Sequence, residues 1–224
     1  MATLYIIATP IGNLEDMSKR GLRILSEVDL ILSEDTRVTK KLLNYYQIKT
    51  QTLSYHERSK LKKINYILDL LKQGKNLALV SDAGTPGISD PGNKLISFIA
   101  EEKDFTVKTI PIPGPSAVTS AASVSGFAMD RFIFMGFPPT KRKRKKFFEE
   151  VVNLKYPVIF YESPYRIIKT LNELQIINQE LKIVVCRELT KKFETIYRGR
   201  IDKVIEEIKK DKVKGEFVVV LAPK

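Results

Sequence analysis

A chain of 224 residues that is 43% hydrophobic has enough material to bury a sizeable core, as one large α/β domain or two smaller ones. Its 38 Lys and Arg against 26 Asp and Glu leave a formal charge of +12, which favours a polyanionic partner, RNA or DNA ahead of an acidic membrane. A single cysteine, Cys186, and a single histidine, His56, exclude a disulfide framework and a cysteine-ligated or multi-histidine metal site.

The amino terminus, Met1 to Ala8, is too short for a signal sequence, and no window approaches the ~18 apolar residues of a membrane span, so a cytoplasmic protein is expected. Leu4 to Ala8 reads as a first strand emptying into Thr9, Pro10, Ile11, Gly12 and Asn13. Met17 to Val28 carries Leu22, Leu25 and Val28 at helical spacing, and Leu30 to Leu32 is a strand ending in Ser33, Glu34, Asp35, Thr36 and Arg37. Thr36 is expected to cap a helix running through Leu42 and Leu43 to Tyr45. Thr52 and Leu53 lead into the polar cluster Ser54, Tyr55, His56, Glu57 and Arg58. Leu61, Ile64, Ile67, Leu68 and Leu71 then trace an amphipathic helix that Gly74 closes.

The stretch from Ala78 to Gly92 is the most informative in the chain. Its apolar run collapses without transition into Ser81, Asp82, Ala83, Gly84, Thr85, Pro86 and Gly87, the grammar of a buried strand opening at the carboxyl edge of a sheet, where open α/β sheets bind ligands. Gly84, Gly87 and Gly92 let backbone approach a small molecule, Pro86 and Pro91 limit the loop's freedom, and Asp82 is placed to face the crevice. A helix through Leu95, Ile96 and Ile99 follows, then a strand from Thr106 to Ile110 running into Pro111, Ile112, Pro113, Gly114, Pro115, Ser116 and Ala117.

Strands and helices alternate five times to this point, which predicts a mainly parallel sheet with helices on both faces. We place an N-terminal α/β domain over residues 1–125, including the small-residue helix Ser116 to Ser125, and a C-terminal α/β domain over 126–224. In the second, Phe132 to Met135, Pro157 to Phe160, Ile183 to Cys186, Phe193 to Gly199 and Phe217 to Leu221 read as strands. Helix faces lie at Phe147 to Val152, Ile167 to Leu174 and Ile201 to Ile208, and consecutive strands among them predict a mixed sheet.

No Gly-x-Gly-x-x-Gly follows the first strand, so the usual dinucleotide fingerprint is absent. Gly87 to Gly92 has P-loop spacing, but Asn93 stands where the phosphate-reaching lysine belongs, which argues against a nucleotide triphosphatase. His56 is a base or, equally, a structural or RNA-contacting ring. Lys141, Arg142, Lys143, Arg144, Lys145 and Lys146 are six consecutive cations at a helix start, where cations are unfavourable. A solvated helix start is one reading. RNA phosphates supplying the counter-charge are the other, and these six are the RNA-binding candidates.

Taken together, the segments TPIGN, SEDTR, SYHER, SDAGTPGISDPG, IPGPSA, YESPYR, RELTK and GEF fill nearly every strand end in this order. The chain closely resembles the tetrapyrrole-methylase-like class of S-adenosylmethionine-dependent methyltransferases, and within it the branch that 2'-O-methylates a cytidine of 16S rRNA in the small ribosomal subunit. The resemblance covers essentially the whole chain, and SEDTR, SDAGTPGISDPG and RELTK together are specific to that branch. It implies a homodimer of two-domain subunits, with S-adenosyl-L-methionine in the cleft between the domains. By motif, Pro10, Ile11 and Gly12 would form one wall of the cofactor site; Asp82, Ala83, Gly84 and Thr85 would hold the methionine part, with Ser116 and Ala117 against it. Tyr161, Leu189, Gly215 and Glu216 would complete the adenosine side. Three positions depart from the family pattern, with Arg58, Tyr165 and Phe193 where histidines are frequent, so a mechanism needing those imidazoles cannot operate here.

The implied reaction is an in-line displacement, in which alignment can supply up to ~7 to 11 kcal/mol and a positioned base a further 10²- to 10⁴-fold or so. Asp35, Glu57, Glu162 and Glu188 are the candidate bases, and Arg37, Arg187 and Lys191 the candidate positioners of phosphate or hydroxyl. Two other functions compete. A tetrapyrrole C-methyltransferase would need a few cations in a pocket rather than six on a helix end. A non-catalytic RNA-binding protein would leave the glycine and proline loops at Pro10 and Gly84 without a purpose.

Overall fold

The computed structural model describes residues 1–102 and 105–224, which form two compact units, Met1–Ser116 and Ala117–Lys224. In the first, strands β1 (Ala2–Ile7), β2 (Leu30–Ser33), β3 (Thr52–Ser54), β4 (Leu77–Val80) and β5 (Val107–Ile112) alternate with helices α1 (Lys19–Glu27), α2 (Thr36–Tyr45), α3 (Leu61–Lys72) and α4 (Asn93–Glu101). The sheet order is β3-β2-β4-β1-β5, and every pairing is parallel.

Period-two alternation divides the strand side chains between two cores. Leu4, Ile6, Leu32, Leu77 and Leu79 pack with Ile64, Ile67, Leu95 and Ile99 of α3 and α4. Ile7, Ile31, Ala78 and Val80 pack with Ile24 and Leu25 of α1 and Leu43 of α2 on the other face. Because α1 packs on one face after β1 and α4 on the other after β4, this neighbouring pair is the switch point of the sheet, the place where open α/β sheets bind ligands at the carboxyl ends of their strands.

Helix termini follow local chemistry. The Ser18 hydroxyl accepts from the Gly21 amide at 3.0 Å to start α1, which therefore begins two residues later than its apolar spacing implied. Asp35, rather than Thr36, caps α2, its carboxylate accepting from the Arg37 amide at 2.8 Å. At the end of α3, Gly74 (φ 83°) donates to the Leu71 carbonyl and Lys75 to that of Leu70, the paired bonds of a Schellman motif. β5 continues through Pro111, which lacks an amide proton and is accommodated because β5 is an edge strand paired only with β1.

The second unit contains α5 (Ala117–Ser125), β6 (Ile133–Phe134), α6 (Arg144–Asn153), β7 (Val158–Glu162), α7 (Ile167–Ile177), β8 (Lys182–Arg187), β9 (Thr195–Arg200), α8 (Ile201–Lys210) and β10 (Phe217–Leu221). Its sheet runs β6-β7-β10-β8-β9, parallel at β6-β7 and antiparallel elsewhere. α5 lies against β10 and β7, so the compact units divide before this helix, whereas the sequence pattern placed the division after it. Phe160, Val185, Val219, Leu171, Leu174, Val204 and Ile208 centre its core. Cys186 is fully buried in β8, and burial pushes its thiol up to about 11. Among the described residues no helix is long and apolar enough to cross a membrane.

Candidate active site

In the first unit, the segment after β4 is fastened to the loop after β1. The Thr9 amide donates to the Gly84 carbonyl at 2.9 Å and the Gly84 amide returns a bond to Thr9 at 3.0 Å. The Thr9 hydroxyl also donates to the Ser81 carbonyl at 3.1 Å. Gly84 holds φ 79°, a conformation that a side chain would strain, and the Ile11 side chain lies 3.5 Å from where its Cβ would sit. Thr85 donates to the Pro115 carbonyl at 3.3 Å, which ties the loop after β4 to the loop after β5, the segment that Ser116 ends. Pro10, Ile11, Gly12, Ala83, Gly84 and Thr85 thus sit on loops whose backbone is fixed by the fold. A concavity of about 180 Å³ lies beside them, lined by Thr9, Pro10, Leu14, Thr39, Ser81 and Asp82 among others.

Carboxylates crowd this edge. Asp82 is exposed, and one of its oxygens accepts from the Asp35 amide at 2.9 Å, which joins the end of β4 to the head of α2. The half-buried Glu34 is pushed above the usual carboxylate range by burial and by the Asp82 charge. Burial, together with the charges of Glu34 and Asp82, raises Asp90 to about 6. Asp35 goes the opposite way. Arg37 grips it through Nε at 3.0 Å and Nη2 at 2.5 Å and holds its carboxyl at about 2, too acidic for an effective general base at neutral pH. Neither Glu34 nor Asp90 was singled out from the sequence, although both lie inside the segments that defined the pattern. What marks them is mutual proximity, which only the parallel pairing of β2 with β4 creates.

In the second unit, Glu162, Phe217 and Arg187 stand in one row across β7, β10 and β8. This register gathers Tyr161, Glu188, Leu189, Lys191, Gly215 and Glu216 at one end of the sheet. Glu188 accepts from the Glu216 amide at 2.9 Å and from Lys191 Nζ at 3.0 Å, and Lys191 also reaches the Glu216 carboxylate at 3.0 Å. Burial alone would raise the Glu188 carboxyl, but the Glu216 amide and Lys191 outweigh it and the group lies below its ordinary range. For Lys191, bonds to the same two carboxylates likewise overcome burial and raise its pKa. A side chain at Gly215 (φ 95°) would collide with the Glu188 carboxylate. Glu188 (φ 52°) and Thr190 (φ 65°) both hold left-handed backbone, and the Thr190 hydroxyl is buried with no hydrogen-bond partner. Two such non-glycine residues in one short loop are the strain that functional segments store. Tyr161 meets Phe134 and Phe137 edge-on or tilted, at centroid distances of 5.0 and 5.4 Å.

Two residues take roles other than those read from the sequence. The Glu162 side chain is wholly buried, accepting from Arg166 at 2.8 Å, from Thr170 at 2.6 Å and from the Ser163 amide at 2.8 Å. With both oxygens engaged and no access, it cannot take a proton from a substrate, and it serves as the structural anchor of its loop. Arg144 leaves the basic run and turns inward. It bonds Glu173 at 2.6 Å, Thr170 at 2.5 Å and the Pro139 carbonyl at 2.9 Å, and covers the Phe148 ring at 4.8 Å. Lys141, Arg142, Lys143, Lys145 and Lys146 remain exposed. Periodicity carried the warning, since Arg144 shares its stripe with Phe148 and Val151.

A profile of the tetrapyrrole (corrin/porphyrin) methylases matches residues 3–205. The chain is 45% identical over 224 residues to a Thermotoga maritima protein named ribosomal RNA small subunit methyltransferase I, covering 100% of both. It is 44% identical to the Bacillus subtilis protein of the same name, over 99% of this chain and 75% of that one. Among solved structures, a cobalt precorrin-4 methyltransferase superposes with a TM-score of 0.68 at 17% identity, over 98% of this chain and 94% of that one. A uroporphyrin-III C-methyltransferase from Thermus thermophilus gives 0.64 at 13%, with the same coverage. At such identities these two speak for the fold alone, but with the profile and the full-length relatives beside them the chain belongs to the tetrapyrrole methylase family.

Proposed function

We propose that this protein transfers a methyl group from S-adenosyl-L-methionine to rRNA of the small ribosomal subunit, at the 2'-hydroxyl of a cytidine in 16S rRNA, and acts as a homodimer. The observation that carries the reading is the acidic, backbone-fixed crevice after β1 and β4, in a chain matched end to end by small-subunit rRNA methyltransferases. The residues fit the donor on chemical grounds: Asp82, with Glu34 and Asp90 beside it, favours a cation such as an ammonium or sulfonium, and the glycine loop presents backbone to a carboxylate. When bound, the donor supplies a methyl group already activated on positive sulfur.

By their loop motifs, Pro10, Ile11, Gly12, Asp82, Ala83, Gly84, Thr85 and Ser116 are proposed to hold the donor, and Ala117, Tyr161, Leu189, Gly215 and Glu216 are proposed for its adenosine part and its surroundings. Arg37, exposed beyond its bond to Asp35, and Lys191 position the ribose or its phosphates. Asp35 and Glu188 serve as the partners that fix these two cations. Fixed alignment provides most of the acceleration, and Asp90, raised to about 6, is the carboxyl whose proton affinity best suits a base near neutral pH. The five exposed cations of residues 141–146 contact RNA phosphate.

Small subunits lacking the modification, incubated with the protein and methyl-labelled S-adenosylmethionine, should acquire label as 2'-O-methylcytidine in 16S rRNA. Absence of incorporation despite calorimetric donor binding would overturn the substrate assignment, and turnover of a uroporphyrin-type compound would replace it.

A further inference from the structure

The N-terminal unit carries a second basic surface, at the start of α3. A concavity of about 930 Å³ opens there, lined by His56, Arg58, Lys60, Lys62, Lys63 and Tyr66, with Asp69 the one carboxylate on its wall. Lys63 is tied to the Ser54 carbonyl at 2.8 Å, and among the described residues no carboxylate lies within ion-pair distance of Arg58, Lys60 or Lys62. Arg58 is held outward on a closed turn, because His56 donates its amide to the Ser59 hydroxyl at 3.0 Å and the Ser59 amide returns a bond to the His56 carbonyl at 2.8 Å. That hydroxyl is therefore not spent on capping α3. The helix begins at Leu61 behind Lys60, an N-cap that makes no side-chain capping bond, and Lys62 and Lys63 follow in its first turn, where the helix dipole disfavours cations. Tyr66, one turn beyond Lys62, is 52% exposed and gives the cations an aromatic neighbour.

Unpaired cations around a hollow, with an exposed ring on its wall, are the elements by which proteins hold an RNA strand: ammonium and guanidinium groups on phosphates, and an unstacked base on an aromatic face. We infer that this concavity is a second RNA-binding surface, which takes the phosphodiester backbone of the substrate rRNA on Arg58, Lys60 and Lys62 and an unpaired base on Tyr66. The inference rests on the rRNA reading proposed above and adds a binding element that the 141–146 run does not supply. A membrane surface would use the same cations but has no base for Tyr66.

The test compares the full-length protein with Lys60→Ala/Lys62→Ala, with the rescue pair Lys60→Arg/Lys62→Arg, and with Tyr66→Ala and Tyr66→Phe. Binding to 16S rRNA fragments is followed as a function of salt, alongside donor affinity and the melting temperature. The double alanine variant should lower the slope of log affinity against log salt by about 1.4, on the order of 0.7 for each single-strand phosphate that is no longer neutralised. It should also raise the KM for RNA severalfold, with donor affinity and melting temperature unchanged. The arginine pair and Tyr66→Phe should bind as the unaltered protein does, and Tyr66→Ala should bind more weakly with its salt slope unchanged. An unaltered protein that methylates small subunits, beside a double variant with the same salt slope and KM, would overturn this inference alone. An unaltered protein that methylates no RNA would overturn the reading beneath it.

Discussion

The strand ends of the two units handle their carboxylates in opposite ways. After β2 and β4, Glu34, Asp82 and Asp90 face one another, and Glu34 and Asp90 have pKa values raised by burial and by mutual repulsion. After β7 and β8 the carboxylates are matched: the buried Glu162 by Arg166 and Thr170, the half-buried Glu188 by Lys191 and the Glu216 amide. The first edge has negative charge to offer a cationic ligand, while the second has committed its charge to holding loops in shape. An acidic residue in a loop motif is therefore not a catalytic candidate until its partners have been counted.

Four substitutions test that contrast, from the largest expected effect to the smallest. Glu162→Ala leaves Arg166 without its carboxylate partner and removes the 3.8 Å contact to Arg144, which keeps Glu173, and should cost about 3 kcal/mol, seen as a lowered midpoint in denaturant. If the variant kept its stability and lost only methyl transfer, the contrast would fail. Asp82→Asn should leave the fold intact and weaken donor binding by about 1.5 to 3 kcal/mol, the worth of a charge-assisted hydrogen bond, measured by calorimetry. Gly84→Ala forces a side chain into left-handed backbone and should cost roughly 1 to 3 kcal/mol of stability, together with donor affinity.

The fourth is a matter of pH. The folded Asp90 carboxyl, at about 6, lies above its unfolded value near 3.8, so the native state holds its proton longer and stability falls as pH rises from about 4 through 6. Asp90→Asn should remove that loss and stabilise the protein at pH 7.5 by about 1 kcal/mol, after allowing for partial solvent screening, with no gain below pH 4. Donor affinity in the unaltered protein should weaken as pH drops below 6, where Asp90 gains its proton and the edge loses charge.

Much of the architecture was legible because local pattern and fold agree. Leu77 to Val80 is an apolar run flanked by turn residues, and Leu61 to Leu71 carries a helical stripe, so both elements declared themselves. Boundaries were lost where chemistry that is not periodic decides. Asp35 outcompetes Thr36 as a cap through its carboxylate, and Pro111 sits in a strand because that strand is an edge. At the site, the loop motifs were visible but the charge states were not. Whether Glu162 is free depends on Arg166 and Thr170, and the alignment of Phe217 between Glu162 and Arg187 depends on long-range antiparallel pairing. A count of consecutive cations also hid that Arg144 belongs to the core.

The lone thiol in β8 provides an intrinsic reporter. Cys186 has no exposed surface and, at about 11, almost no thiolate at neutral pH, so alkylating reagents should reach it only when the second unit opens. Its rate of labelling would time that opening without any engineered probe, and a cysteine introduced elsewhere on the surface could carry a fluorophore at a single defined position while the native sulfur stays silent.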